Sequence, residues 1–305
     1  MTESKQKIFI ATKADNEGDF STKDWSLFLG ISLIWGSSFL LMAEAIEALR
    51  PGVVTFGRAS LGALTLWVIR LISYRGKKID SADRARIYVL GALWVAIPFT
   101  LFPLAQQSIN SAVTGLLNGA TPVLATLVSV ILVRVKPRGK QLLGLLVGFA
   151  GIVLVSLGSA GQGSSEAKGV AMVLLATVCY GFALNIAPPL QAKYGGIVLM
   201  SNVLTVATVL VTPYALYKVD ENQWQTSSSL SILFLGAVGT GLAYLMMSNL
   251  VGRVGSIRAS FITYLIPVVS LVLGVLLRND TVTTLTLIGA PITIVGAYLA
   301  SKKQR

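Results

Sequence analysis

ITYLIPVVSLVLGVLLRND, residues 262–280, carries a proline at position 267 in the middle of an apolar run. A proline removes one backbone hydrogen bond from a helix, so the carbonyl four residues earlier loses its usual partner. A second apolar run, GATPVLATLVSVILVR from Gly119, has the same feature at Pro122. The two prolines are 145 residues apart (267 − 122 = 145), which indicates two related halves, each with a helix that is broken near its centre.

The composition indicates that the chain lies in a membrane. Of its 305 residues, 54% are hydrophobic and 12% are charged, which is too apolar for water-soluble domains of this size. Residues 87–133 contain no Asp, Glu, Lys or Arg, enough for two crossings of about 20 residues joined by a turn. Residues 1–24 mix lysines with acids and are predicted to form a flexible cytosolic tail rather than a signal peptide.

The polar residue types exclude several kinds of chemistry. The chain has no histidine and a single cysteine, Cys179, so imidazole catalysis, an internal disulfide and a thiolate metal site are not expected. We therefore predict no metal, no cofactor and no enzymatic activity. A membrane-embedded transferase stays open as an alternative from another class, although the chain has no metal-ligand cluster to support one.

Apolar windows separated by charged or turn residues predict ten membrane-crossing helices. Their spans are 25–45, 51–73, 84–105, 110–133, 139–158, 168–188, 196–217, 228–249, 255–277 and 283–301. With both termini in the cytoplasm, the inner loops hold most of the Lys and Arg, and the outer loops hold Arg50, Lys168, Lys218 and Arg278. This distribution follows the positive-inside rule. We interpret the net charge of +12 as an orientation signal and expect lipid, not nucleic acid, as the partner.

A shift of 145 residues aligns the two halves without a gap. It matches LGA at Leu90 with LGA at Leu235, and Gly144 with Gly289. The predicted repeats are residues 25–158 and 166–302, with five crossings each, so the second copy is inverted in the membrane. Inverted repeats create a site near the midplane that either half can close from one side, as alternating access requires. The predicted fold is therefore an all-α polytopic membrane protein with two inverted five-helix repeats.

The two prolines are predicted to lie near the membrane midplane as hinges. They free the carbonyls of Asn118 and Thr263, which is tolerable at that depth only beside protein or a wet cavity. Small, weakly polar residues recur on one face of both broken helices. They favour a cavity wall, while close helix packing is the alternative that such residues also permit.

Several motifs resemble the EamA branch of the drug/metabolite transporter superfamily. They are LIWGSSFL (33–40), PGVVTFGR (51–58), the block from Gly239 to Leu277 and LIGAPITIVGAYLA (287–300). The resemblance implies a bacterial inner-membrane carrier with ten helices in two inverted halves, usually an exporter of amino acids or other small metabolites. That family often has an acid soon after helices 4 and 9; Asp280 matches the second position, and Val135 stands at the first.

Ten residues are candidates for substrate binding because they place polar or aromatic groups near predicted helix centres or ends. They are Trp35, Ser38, Arg58, Asn118, Tyr180, Asn185, Tyr244, Asn249, Thr263 and Tyr264. Arg58 lies about 10 Å along its helix. It is predicted either to capture a substrate carboxylate, or to reach the interface or pair with Glu44 or Glu47.

The function predicted from these features is export of a small organic solute by a secondary-active or facilitative transporter, acting as a monomer or homodimer. A multidrug, nucleoside or osmolyte transporter of the same fold is the alternative within the class. A channel is disfavoured because polarity concentrates at the midplane. Phosphorylated substrates are disfavoured because Arg58 is the one basic candidate in the cavity. The acid nearest to a membrane-embedded position is Glu44, so exchange without a buried proton site is favoured over proton coupling.

Overall fold

A computed structural model describes residues 20–73, 77–133, 137, 139–160 and 164–300. Its regular secondary structure within these residues is entirely helical. Eight helical segments are long and apolar enough to cross a membrane, and two further apolar helices of 17 residues lie near the C-terminus. The chain is thus a polytopic α-helical membrane protein.

Thirteen α-helices follow one another in the part of the chain that the structure describes. They are α1 (Thr22–Ala45), α2 (Pro51–Ser73), α3 (Arg84–Leu90), α4 (Ile97–Ala105), α5 (Ser111–Asn118), α6 (Thr121–Val133), α7 (Gly139–Ala160), α8 (Ser164–Tyr194), α9 (Gly196–Leu216), α10 (Thr226–Leu233), α11 (Ala243–Ala259), α12 (Ile262–Arg278) and α13 (Thr284–Ala300). Short 3₁₀ turns precede α3 and α10, at Ser81–Asp83 and Val219–Glu221. Most predicted segments agree with these helices to within a few residues. The exceptions are α8, which ends six residues later than predicted, and α12, which begins seven residues later because α11 continues to Ala259 across a non-helical residue, Gly255.

Helix α1 begins three residues earlier than predicted. Ser21 caps it, because its Oγ accepts a hydrogen bond from the Asp24 amide and the Asp24 carboxylate accepts one from the Ser21 amide. The last three residues of the predicted tail are therefore helical, and Asp24 is buried. The rest of that tail up to residue 19, and the basic C-terminus from residue 301, lie outside the described residues.

Both predicted breaks exist, but they are not equivalent. In the first half, α5 ends at Asn118 and α6 begins at Thr121, so Pro122 lies in the first turn of α6, where no amide donor is needed. In the second half, the break lies at residues 260–261, between α11 and α12, and Pro267 lies inside α12. The prediction that the second break lies at Pro267 was wrong, because the helix is interrupted six to seven residues earlier, where the amide and the hydroxyl of Thr263 both donate to the Ser260 carbonyl.

The carbonyl that was expected to be free at the first break has a partner. Thr121 Oγ1 donates to the Asn118 carbonyl over 2.7 Å. Thr263 Oγ1 donates in the same way to the Ser260 carbonyl, also over 2.7 Å. At each break, a threonine hydroxyl therefore donates to the backbone carbonyl of the residue three positions before it.

Two π-helical segments interrupt the helices at matching positions in the halves. Gly91–Ala96 joins α3 to α4, and Phe234–Leu242 joins α10 to α11. The LGA motifs at Leu90 and Leu235 lie at these segments, so the aligned motifs mark a shared local distortion. Such distortions are frequent at functional sites.

Helix α7 packs along α13 through glycines. A Cβ added to Gly289 would lie 2.8 Å from the Gly151 carbonyl oxygen, and one added to Gly296 would lie 2.9 Å from that of Gly144. Under the shift of 145 residues, Gly289 corresponds to Gly144 and Gly151 corresponds to Gly296, so the two contacts are equivalent. The contact of α1 with α12 and that of α6 with α8 are related by the same shift, so the helix packing follows the repeat found in the sequence.

Ion pairs join helix ends and connecting segments at two opposite ends of the helices. At the first, called the Lys193 end, Lys193 contacts Asp80 and Asp83 at 2.7 Å, and Arg253 contacts Asp24 at 2.5 Å. The Lys193 hydrogen bond lowers the pKa of the Asp80 carboxyl, so this carboxyl stays ionised in mild acid. Both partners of each of these ion pairs belong to segments that the sequence predicts on the cytoplasmic side of the membrane.

The other end of the helices is called the Arg278 end. There, Arg278 contacts Glu44 at 3.2 Å and Glu47 at 2.5 Å, and Arg50 contacts Glu221. Hydrogen bonds from Lys218 and charge from Arg50 lower the pKa of the Glu221 carboxyl. The sequence predicts all of these segments on the outer side of the membrane, opposite to the Lys193 end.

Candidate functional site

A cavity of about 550 Å³ lies among the helices of both halves. Its size falls within the roughly 300–1,000 Å³ that is usual for small-molecule sites. Asn118, Thr121 and Pro122 line it at the first helix break, and Ser260 and Thr263 line it at the second. The two breaks therefore meet at one cavity, although the second break does not lie at its proline.

The cavity reaches the Lys193 end and is closed toward the Arg278 end. Ala192 and Ser260, which line it near the first of these ends, are exposed. Toward the other end its wall is made of buried rings, including Phe39 (7% exposed) and Phe102 (2% exposed), whose centroids are 5.6 Å apart. The arrangement is that of a site accessible from one side.

Aromatic rings pack against one another in part of the cavity wall. Trp35 and Trp94 both contact Tyr244 edge-on, with centroid distances of 5.9 and 6.3 Å. Trp35 Nε1 donates to the Gly239 carbonyl over 3.1 Å, which uses a backbone acceptor in the π-helical segment. Tyr180 lies 5.9 Å from the ring of Phe102. These contacts hold the rings against one another and against the backbone of the π-helical segment.

Arg58 is the one charged side chain among the described residues that line the cavity. Its guanidinium carbon lies 4.0 Å from the centroid of Phe99, and its Nε donates to Thr240 Oγ1 over 3.3 Å. Glu44 and Glu47, the predicted alternative partners, contact Arg278 instead. Arg58 is thus directed into the cavity and not toward the interface.

The structure brings together eight of the ten candidate residues. The cavity is lined by Trp35, Ser38, Arg58, Asn118, Tyr180, Tyr244, Thr263 and Tyr264. Asn185 lies outside it and donates to the carbonyls of Gly181 and Ala125, where it joins α8 to α6. Asn249 is exposed and does not line the cavity.

The two predicted hinge residues lie in different places. Pro122 lines the cavity, whereas Pro267 is buried outside it and packs against Gly119.

The sequence reasoning missed several lining residues. Phe99 is the equivalent of Tyr244 under the shift (99 + 145 = 244), so the repeat contained a signal for it. Trp94 and Met247 line the cavity as well, but apolar residues within apolar helices carry no mark of which face they occupy. Their position depends on tertiary packing alone.

An acid fastens two helices at the Arg278 end. Asp280 Oδ2 accepts hydrogen bonds from Ser111 Oγ over 2.5 Å and from the Ala112 amide over 2.9 Å. It thus caps the N-terminus of α5, where a negative charge is favourable. The equivalent residue of the first half is Val135 (280 − 145 = 135). The other half therefore supplies no acid at the corresponding position.

Residues able to bind a metal are not grouped in the described ranges. Those ranges contain no cluster of three or more His, Cys, Asp or Glu side chains with metal-binding geometry.

Comparison with known proteins yields a family and several relatives. The model of the EamA-like transporter family matches residues 25–157 and 167–302. An uncharacterized transporter of Archaeoglobus fulgidus is 25% identical over 92% of this chain and 100% of its own length. A probable terminal-alkyne amino-acid exporter of Streptantibioticus cattleyicolor is 23% identical over 92% of this chain and 93% of its own. One solved structure, described only as the crystal structure of a protein, has a TM-score of 0.65 at 20% identity and covers 92% of this chain and 98% of its own; it is similar in fold.

Proposed function

We propose, from the fact that this chain belongs to the EamA-like transporter family, that it exports a small organic solute across the bacterial inner membrane by alternating access. The solute is an amino acid or a related metabolite. The observation that carries the proposal is the cavity of about 550 Å³, which opens at the Lys193 end and is closed toward the Arg278 end. A relative named as a probable amino-acid exporter supports the solute class.

The proposed topology has ten crossings and cytoplasmic termini. The eight long apolar helices supply eight crossings. Helix α12 and helix α13, at 17 residues each, extend about 25 Å, and with their flanking turns they supply the other two. The glycine contacts of α7 with α13, which exchange under the shift of 145 residues, support two inverted repeats at 25–158 and 166–302.

Cysteine labelling in intact cells tests this topology. Cysteines placed singly at Lys77 and Lys218, in a Cys179→Ser background, are expected to react from the cytoplasm and from outside, respectively. Labelling of both from the same side would contradict the inverted arrangement.

The proposed transport is exchange or facilitated diffusion, without a proton site in the cavity. No acid lines the cavity in the described part of the chain. Glu44, the candidate from the sequence, is held by Arg278 outside the cavity. A proton-coupled carrier usually has a titratable group on its pathway, so this lining favours exchange.

Counterflow in vesicles tests the export function. Purified protein is reconstituted into vesicles that are loaded with each solute whose cellular level differs between cells with and without the chain. Labelled solute is then expected to accumulate in these vesicles and not in protein-free ones. Leu184→Trp is expected to reduce counterflow, because Leu184 lines the cavity on α8. The matched control is Leu175→Trp, at an exposed position on the same helix that is outside the cavity. Equal counterflow in both variants would contradict transport through this cavity.

A further inference from the structure

We propose that the solute carries a single carboxylate on an apolar body, and that Arg58 binds this carboxylate. The inference rests on the proposed transport function and names the substrate class for the same cavity. It follows from three features of the described lining: its charge, the fixed orientation of Arg58 and the aromatic wall.

The charge of the cavity is unbalanced. Arg58 is the one ionised group in the described lining, and the described residues place no carboxylate within ion-pairing distance of it. A cation at this depth is costly unless an anion or water compensates it. A bound carboxylate would supply the missing charge, whereas a bound amine would add a second positive charge.

The guanidinium is held so that its terminal nitrogens stay available. Phe99 supports its face at 4.0 Å, and Thr240 accepts from Nε. The Thr240 hydroxyl in turn donates over 2.9 Å to the carbonyl of Leu235, five residues earlier in the π-helical segment. No hydrogen bond from Nη1 or Nη2 to the described residues is present. Two parallel donors suit a carboxylate, which guanidinium groups bind in a bidentate manner.

The rest of the lining suits an apolar body. Eight aromatic side chains face the cavity: Trp35, Phe39, Trp94, Phe99, Phe102, Tyr180, Tyr244 and Tyr264. No described acid is present to pair with an ammonium group, so an amino group on the solute is tolerated but not required. A phosphate dianion would need more cationic donors than Arg58 provides.

Binding of four related probes tests this class. The full chain in lipid nanodiscs is titrated with L-phenylalanine, 3-phenylpropionate, L-phenylalaninamide and phenethylamine, and the thermal unfolding midpoint is measured. The two carboxylates are expected to raise the midpoint and to bind at least tenfold more tightly than the amide and the amine. Failure of both carboxylates to bind, or equal binding of the amide, would overturn the inference.

Three substitutions locate the carboxylate partner. Arg58→Gln is expected to abolish the preference for carboxylates, and Arg58→Lys to weaken their binding about tenfold because the paired donors are lost. Arg70→Gln is the matched control, because Arg70 lies on the same helix over the ring of Trp67 but outside the cavity. Unchanged selectivity in Arg58→Gln, or equal loss in the control, would overturn the role of Arg58.

Thr240 is assigned as a positioning residue. Thr240→Val is expected to lower the ratio of carboxylate to amide affinity while the protein stays folded, a change that general destabilisation would not produce.

Failure of the proposed function can be told apart from failure of this inference. If the transport function is wrong, vesicles with the wild-type protein show no counterflow of any solute, even though the carboxylates bind. If counterflow occurs without selectivity for carboxylates, only the present inference fails.

Discussion

At the residue scale, a threonine makes the first helix break tolerable inside a membrane. Thr121 Oγ1 satisfies the Asn118 carbonyl, whereas at the second break the exposed Ser260 carbonyl accepts both the amide and the hydroxyl of Thr263. A buried carbonyl without a partner is costly in a medium that offers no water. The breaks can therefore persist at the cavity without a permanently unpaired backbone group.

Replacing Thr121 by valine removes this hydroxyl and keeps the shape of the side chain. Because the Asn118 carbonyl then loses its partner, we expect the free energy of unfolding to fall by about 1–3 kcal/mol. Thermal unfolding in detergent measures the change. Thr126→Val is the control, because the Pro122 carbonyl that Thr126 contacts also receives an amide within the helix. An equal effect of both substitutions would contradict the special role of Thr121.

Gly119 provides the close approach of the two broken helices. A Cβ at this position would lie 2.7 Å from Cγ of Pro267 and 2.9 Å from the Leu116 carbonyl oxygen. We expect Gly119→Val to destabilise the protein by about 1–3 kcal/mol through overpacking. Gly252→Ala should leave the unfolding midpoint nearly unchanged, because nothing lies within 4 Å of an added Cβ there. A tolerated valine at position 119 would show that the helices can move apart.

The sequence predicted site residues well where they were polar or repeated. Arg58, Asn118 and Thr263 were recognised because polar groups are costly within an apolar span. Asn185 looked equivalent to them, yet its side chain serves to join α8 to α6. A sequence shows that a buried amide needs partners but not whether a neighbouring helix supplies them.

At the scale of elements, most helix spans followed directly from the apolar windows, but their internal distortions and the boundary between α11 and α12 did not. The lengths of α2 and α9 agree with the predicted segments because a membrane crossing fixes the number of residues. The second break lies six residues before Pro267, because one proline can be accommodated inside a helix at the cost of one hydrogen bond. The π-helical segments left no signal beyond the LGA repeat.

The contact of Asp280 with α5 is expected to hold the Arg278 end closed. Asp280→Ala removes both hydrogen bonds to Ser111 and Ala112, and Val135 at the equivalent position of the other half offers no similar group. We therefore expect the variant to open more often at the Arg278 end.

Labelling of the cavity measures this opening. In a Cys179→Ser background, a cysteine at Asn118 should react faster with an impermeant thiol reagent from outside when Asp280→Ala is present. Asp220→Ala is the control, because Asp220 is an acid in a loop at the same end without an ion pair in the described structure. Identical rates in the two backgrounds would show that the contact does not limit opening.

At the scale of the whole molecule, the charges define two ends and leave the middle nearly neutral. Ion pairs occupy both ends, and Arg58 is the single charge in the described lining between them. The net charge alone did not reveal that the charges lie at the two ends and not in the middle, but the distribution of charged residues over the predicted loops did. The packing of the halves around one cavity could be inferred from the repeat, whereas its closure at one end depends on contacts between distant residues.

The proposed exchange is expected to be insensitive to pH in the range where histidine ordinarily titrates, about pH 5 to 8. The chain has no histidine, and the lowered pKa values of Asp80 and Glu221 keep these carboxyls ionised throughout this range. The contribution of these two ionised carboxyls to the stability of the fold would be lost only as the pH falls through their lowered pKa values. Counterflow measured at equal internal and external pH should change less than twofold. A steep dependence would require a proton site on the pathway.

The glycine contacts between α7 and α13 have a mechanical consequence. Their backbones lie so close that an added Cβ on Gly289 or Gly296 would meet the backbone of the facing helix, so neither helix can roll over the other without collision. In the proposed alternating-access cycle, the pair should then behave as a stationary pillar while the remaining helices move. Lipid beside this pillar would contact a surface of constant shape throughout the cycle. Any deformation of the bilayer during a turnover would therefore occur elsewhere around the protein.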